Sequence, residues 1–254
     1  MSDDIDESRA PLLEHLLELR RRLLWSFVAL AAAFGGCIYF ARGILTFLVA
    51  PLHFAGQNKI INTEIFGGFF VELKVAFFAA LMLAFPVIAN QLWQFVAPGL
   101  YKNERRALLP FICATPVLFL MGASLAYFVA IPTALHFLLG FQGDLGGVTQ
   151  QALPDVGSYL KFVMQFLFGF GISFLLPILL MLLERAGIVT RRQLVDARRY
   201  AIVGAFAIAA VLTPPDVGSQ LMLAVPLIIL YELSLIGIWF TEKKRQKSET
   251  PEAA

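Results

Sequence analysis

The sequence predicts an all-α polytopic membrane protein, on three observations: long apolar runs, sparse charge, and cations gathered on one side of those runs. Hydrophobic residues make up 59% of the 254 positions and charged residues only 15%, with a mean hydropathy of +0.75. Soluble domains carry roughly 25% charged residues. A soluble core cannot hide so much apolar surface, so lipid must solvate it. A spanning helix needs about 20 mostly apolar residues, because the hydrocarbon is ~30 Å thick and a helix rises ~1.5 Å per residue.

Runs at 23–41, 75–97, 108–131 and 162–183 meet that length. The first has the form of a signal peptide, with Arg20, Arg21 and Arg22 ahead of an apolar stretch. Acidic residues at 3, 4, 6 and 7 precede it and its length is that of a span, so it is read as retained. The later apolar region, 200–240, is interrupted at 213–218 by Thr-Pro-Pro-Asp-Val-Gly, a turn signal. It therefore divides into helices at 200–212 and 221–236, both short; the fifth gives only about 20 Å of helix. Such mismatch is met by bilayer thinning or by packing against a partner. Pro86, Pro116, Pro177 and Pro226 fall inside spans, and intramembrane proline bends a helix and frees a carbonyl. Six kinked helices in a cupped bundle, forming a single membrane domain over 1–254, are the expected architecture.

Orientation follows from the cations. Clusters at Arg9 and Arg20–Arg22, at Lys102, Arg105 and Arg106, at Arg185, Arg191, Arg192, Arg198 and Arg199, and at Lys243, Lys244, Arg245 and Lys247 hold 16 of the 20. Six crossings put all four clusters on one face, which is the cytoplasmic one, with both termini inside. A re-entrant last pair of helices would leave the tail on the same side, and that alternative stays open. Outside lie 42–70, whose apolar stretch 44–52 reads as a short helix on the surface, and the Gly-rich loop 140–157. Residues 243–254 read as a disordered cytoplasmic tail.

Several functions fail on composition. A net charge of +2 gives no case for nucleic acid. Cys37 and Cys113 lie in apolar runs and read as inert thiols, and His15, His53 and His136 sit in different segments without metal-ligand spacing. No phosphate-binding glycine loop occurs. Gly171-Ile-Ser173 begins a nucleophile-like pattern but continues with Phe174, so Ser173 reads as a packing serine. Neither an enzyme nor a cofactor or metal protein is expected. A small-solute transporter or channel is the alternative, but no internal repeat supports it.

The informative residues are carboxylates on the basic face. Glu18 stands in His-Leu-Leu-Glu-Leu-Arg-Arg-Arg at 15–22, and Glu104 follows Lys102 in the loop 98–106. Two readings are open: local pairing, since Glu18 and Arg22 are spaced i, i+4, worth ~0.3–0.5 kcal/mol, or reception of a cationic peptide, since adjacent arginines need two carboxylate acceptors. Asp216 and Gln220 flank the turn before the sixth helix, where they either cap it or share a polar patch. Asn90, Gln91, Gln94 and Gln165 are polar groups within or at the ends of spans, where they bond between helices as often as they line a path.

Together these segments resemble the TatC family. The resemblance rests on 15–22, Ala-Pro-Leu at 50–52, Phe-Pro-Val at 85–87, Gln-Leu-Trp-Gln-Phe-Val-Ala-Pro-Gly-Leu-Tyr at 91–101, Glu-Arg-Arg at 104–106, Ala-Tyr-Phe at 126–128 and Leu-Thr-Pro-Pro-Asp-Val-Gly-Ser-Gln at 212–220, in family order over nearly the whole chain. It implies a receptor in the bacterial cytoplasmic (inner) membrane for the Arg-Arg signal peptides of folded precursors. That receptor is expected to work with TatA- and TatB-type single-span subunits, in several copies within one complex, on the proton-motive force. Carried over by motif position, Glu18 and Glu104 take the twin arginines, with Arg20 and Lys102 in the same patch. Asp216, Gln220 and Thr213 belong to the outer turn where partner helices dock. Pro51, Phe95 and Tyr127 are structural positions. One departure stands out: family members often carry a glutamate in the fourth helix where this chain has Leu175, so no role for that carboxylate is transferred.

Overall fold

Helix propensity does not stop where apolarity stops, and the helices outrun the apolar runs. The structure is a computed structural model describing the backbone of residues 3–249 except 58, 64, 101–104, 141, 146–147, 151–152, 186 and 214–216. Side chains are described over 16–243 outside those positions, 96–110 and 143–150. The helices are α1 (Asp3–Tyr39), α2 (Ala41–Phe54), α3 (Gly67–Leu100), α4 (Arg105–Leu125), α5 (Ile131–Leu139), α6 (Val156–Ser173), α7 (Leu176–Arg185), α8 (Arg191–Asp196), α9 (Arg198–Leu212) and α10 (Val217–Glu249).

Among the described residues five stretches are long and apolar enough to cross a membrane: Leu16–Tyr39, Gly67–Phe95, Phe111–Leu139, Val156–Arg185 and Val217–Lys243. The fifth expected helix is short, as anticipated: α9 has 15 residues, about 22 Å. The sixth is not. α10 has 33 residues and includes much of the segment expected to be a disordered tail. Its polar continuation, Thr-Glu-Lys-Lys-Arg-Gln-Lys from 241, is built mainly from strong helix formers. Within α10, Glu232 Oε2 accepts from Arg198 Nη2 of α9 at 2.8 Å.

Proline acts at some positions and not at others. Helices α3 and α10 run unbroken past Pro86 and Pro226. The fourth span is divided at Phe174–Leu175, just before Pro177. In the third, a π turn at Ala126–Ala130 lets the Ile131 N–H reach Ala126 O. That widened turn precedes Pro132, whose ring would meet the carbonyl four residues back. The loop after α5 is not wholly irregular: strands β1 (Gly143–Leu145) and β2 (Val148–Gln150) pair antiparallel. The Gly-Gly between them in sequence is a two-residue hairpin signal.

The chain forms two compact units, Met1–Leu45 with Glu72–Pro116, and Thr46–Val71 with Val117–Ala254. In the first, α1 meets α3 through small residues. Cys37, Ala41, Ala76 and Ala80 are buried, with Leu30, Ala33, Phe34 and Ala79 against them. Small side chains let helix backbones approach closely where lipid offers no hydrophobic driving force. Arg42 Nε, just past α1 at the start of α2, meets Glu72 Oε1 of α3 (3.0 Å) at one end, and Arg22 of α1 meets Gln94 of α3 (2.7 Å) at the other. About 33 Å of helix separates Glu72 from Gln94, close to the thickness of the hydrocarbon.

The second unit interlocks glycine with aromatic rings. A Cβ on Gly122 would lie 2.5 Å from Phe170 O and 2.8 Å from the Phe174 ring, and one on Gly171 would lie 2.5 Å from the Phe119 ring. Phe119, Phe166 and Phe170 are each about 1% exposed. At another place in this unit Leu194, Tyr231, Leu235 and Ile238 are buried together, and the Tyr231 hydroxyl donates to Leu194 O.

Candidate functional site

The polar residues at the Gln94 end of the α1–α3 pair form one connected group. Glu18 and Arg22 fall on one face of α1 by i, i+4 spacing. Arg22 Nε donates to Glu18 Oε1 at 3.0 Å and its Nη2 donates to the same oxygen. The third guanidinium nitrogen, Nη1, donates to Gln94 Oε1 at 2.7 Å and reaches Gln91 Oε1 at 3.5 Å. Gln94 is oriented in turn by Asn90, whose Oδ1 accepts from its Nε2 at 3.0 Å. The Arg22 side chain is 19% exposed and that of Glu18 36%. This site therefore holds a carboxylate open to solvent, already engaged with a guanidinium.

Arg20 is exposed and, two residues from Glu18, points away from it, because i, i+2 side chains do not share a helix face. Phe95 is half-buried beside Gln94 on α3. Glu104 and Lys102 lie outside the described residues. The cross-helix partners of Arg22 escaped sequence reading: spacing gives Glu18, but nothing local pairs residue 22 with residue 94.

Pro51 and Tyr127 are brought together. Proline at 51 has no N–H, so the carbonyl of Phe47, four residues back in α2, loses its helical donor. The Tyr127 hydroxyl donates to Phe47 O at 2.7 Å, and the Tyr127 ring stacks on that of Phe47 with centroids 4.4 Å apart. Tyr159 at the start of α6 donates likewise to Leu48 O at 2.9 Å. Pro51, Leu52, Tyr127 and Tyr159 are all buried.

At the junction of α9 and α10, Thr213 is buried, and its hydroxyl donates to Ala209 O at 2.8 Å. Gln220 Nε2 donates to Phe206 O at 3.3 Å, tying α10 to α9. Asp216 lies outside the described residues. Alongside, Ile202, Val203, Ile208 and Val211 leave an exposed apolar surface on α9.

Asp155 was not singled out from sequence, although Asp-Val-Gly-Ser at 155–158 is an N-cap pattern. It caps α6 through Ser158 N and also accepts from Thr63 N and Oγ1 (3.3 and 2.9 Å). The Ser158 amide, then the Thr63 hydroxyl, hold its carboxyl below the usual carboxylate range. Ile61 pairs with Asp155 in a parallel bridge, so the segment after α2 is fastened to the start of α6.

Residues 14–226 match the family described as Sec-independent protein translocase protein (TatC). The chain belongs to the TatC family. It is 48% identical over 250 residues to the Sec-independent protein translocase protein TatC of Magnetococcus marinus, covering 98% of this chain and 91% of that one. To the TatC protein of Escherichia coli K12 it is 40% identical over 237 residues, covering 92% and 89%. A crystal structure of the twin arginine translocase receptor TatC superposes with a TM-score of 0.77 at 37% identity, over 87% of this chain and 98% of that one. As a TatC family member with five apolar helices of spanning length, the chain is a multi-pass membrane protein. Within this TatC chain, Leu175 sits in the break between α6 and α7, its N–H donating to Ile172 O. Of the polar groups named within or at the ends of spans, Gln165 is exposed and lies about 15 Å of helix from Leu175, and Gln94 is committed to Arg22.

Proposed function

We propose that the chain is the receptor subunit of a twin-arginine translocase, binding Arg-Arg signal peptides of folded precursors at the cytoplasmic face of a bacterial inner membrane. Glu18 and Glu104 supply the two carboxylates, with Arg20 and Lys102 in the surrounding patch. The α9–α10 junction, with Thr213, Asp216, Gln220 and the apolar surface of α9, receives TatA- and TatB-type single-span helices, and the proton-motive force drives passage. Pro51, Phe95 and Tyr127 hold the scaffold. Both termini lie in the cytoplasm after six crossings, α9 being the short one, and several copies assemble in one complex.

The observation that carries this reading is Glu18: in a chain of the TatC family, its part-exposed carboxylate already accepts two N–H groups of one guanidinium. An arginine of a peptide offers the same fork, and lysine does not. Glu18→Gln and Glu104→Gln are expected to weaken binding of an Arg-Arg peptide at least tenfold each, the loss of one charge-assisted pair. They should also erase preference over a Lys-Lys peptide. Wild-type affinity and preference in both variants would overturn direct contact.

A further inference from the structure

We propose that Arg22 is an internal occupant of the peptide-arginine site, which an incoming arginine must displace from Glu18; this rests on the reading of Glu18 given above. Arg22 Nε and Nη2 both lie on Glu18 Oε1, so a peptide guanidinium that is to take the two carboxylate oxygens side by side has to displace Arg22 from that one. Among the described residues Arg22 is the only partner of that carboxylate. Its remaining nitrogen is held from a different helix, by Gln94 Oε1 at 2.7 Å and Gln91 Oε1 at 3.5 Å, and Gln94 is itself fixed by Asn90. The site thus has two ends: Glu18 on α1, which can change partner, and the carboxamide oxygens on α3, which retain Arg22 when it does.

In this arrangement the competitor sets affinity, and the carboxylate sets specificity. A peptide arginine replaces the fork on Glu18 N–H for N–H, while the displaced Arg22 keeps its α3 acceptors. A peptide lysine brings a point charge without a fork, so it cannot reproduce the contact it removes. Discrimination arises as a difference between two affinities, with the internal competitor raising the threshold for both ligands. A binding-competent state that is only fractionally populated lowers apparent affinity by that fraction.

Two substitutions on the same contact are expected to differ in their effect on affinity. Arg22→Gln removes the competitor, so an Arg-Arg peptide should bind more tightly, by up to about tenfold if the contact is ~90% populated. The ratio of Arg-Arg to Lys-Lys affinity should stay the same, because either ligand has to displace the same competitor. Gln94→Ala removes an acceptor that Arg22 uses both on Glu18 and after displacement, so the cost falls on both states and affinity should change by less than about twofold. Damage to the fold would weaken binding in both. The measurement is the Kd of fluorescent synthetic peptides, Arg-Arg or Lys-Lys followed by one apolar segment, for the full-length protein in lipid nanodiscs, with Glu18→Gln in parallel. Weakened binding by Glu18→Gln together with tighter, equally selective binding by Arg22→Gln is the expected result. Unchanged or weaker binding by Arg22→Gln, with Glu18→Gln still deleterious, overturns the competitor role and leaves the receptor reading standing. A Glu18→Gln variant that binds as wild type overturns direct contact by Glu18, and the competitor with it.

Discussion

Arg22 and Tyr127 each carry a side-chain hydrogen bond from one helix to another, but they use it in opposite ways. Tyr127 is buried, 8% exposed, and its hydroxyl completes a backbone carbonyl that Pro51 has deprived of a donor. No solvent or ligand can take over that bond, so losing it strands a polar atom. Arg22 reaches side-chain oxygens at a place where Glu18 remains a third exposed, and water or another cation can replace it. The first is a latch, the second a site. Burial, more than bond length, separates a polar contact that holds the fold from one available for recognition.

The contrast is tested most severely where the second unit has no slack. Gly122→Val places branched carbon where even a Cβ would come within 2.5 Å of the Phe170 carbonyl oxygen. A backbone oxygen cannot swing aside as a flexible side chain can. The expected cost is at the upper end of overpacking, about 3 kcal/mol, read as a large fall in the detergent-solution melting temperature. A melt within a degree of wild type would mean that this helix crossing is looser than it looks.

The latch itself can be taken apart by a double-mutant cycle. Tyr127→Phe keeps the stacked ring and removes the hydroxyl, leaving Phe47 O without its donor, for a loss of about 1–3 kcal/mol. Pro51→Ala restores an N–H four residues after Phe47, so the helix can satisfy that carbonyl itself. Tyr127→Phe should therefore cost less in the Pro51→Ala background, with a coupling of roughly 1 kcal/mol between the two sites. Equal costs in both backgrounds would show that proline and tyrosine act independently.

Much of this was legible in the sequence, for reasons particular residues make plain. Spans were found because lipid demands continuous apolar runs, and that demand is local. The ends of helices were not, because a helix may continue through polar residues: α10 passes Phe240 into lysines and glutamate, and α1 begins at Asp3, far ahead of the apolar run. Glu18–Arg22 was readable as i, i+4. Its extension to Gln94 was not, since it depends on which face of α3 meets α1, and small residues such as Ala76 and Ala80 encode that face only weakly. Pro51 and Tyr127 were both marked as structural from motif position, yet nothing in either segment says that one supplies the hydrogen bond the other removes.

The smallest expected effect closes the comparison from the other side. If Glu18 and Arg22 form a site and not a latch, breaking their pair should hardly touch stability. An i, i+4 pair on a helix contributes ~0.3–0.5 kcal/mol, and in a chain of this size that shifts a melting temperature by roughly 1–2 °C. Gln94 adds a bond from α3, but Arg22 keeps some access to water that can replace it. Glu18→Gln and Arg22→Gln should therefore melt close to wild type while changing peptide affinity in opposite directions. A drop as large as that of Tyr127→Phe would mean that the guanidinium is holding α1 to α3, and the distinction between the two regions would be lost.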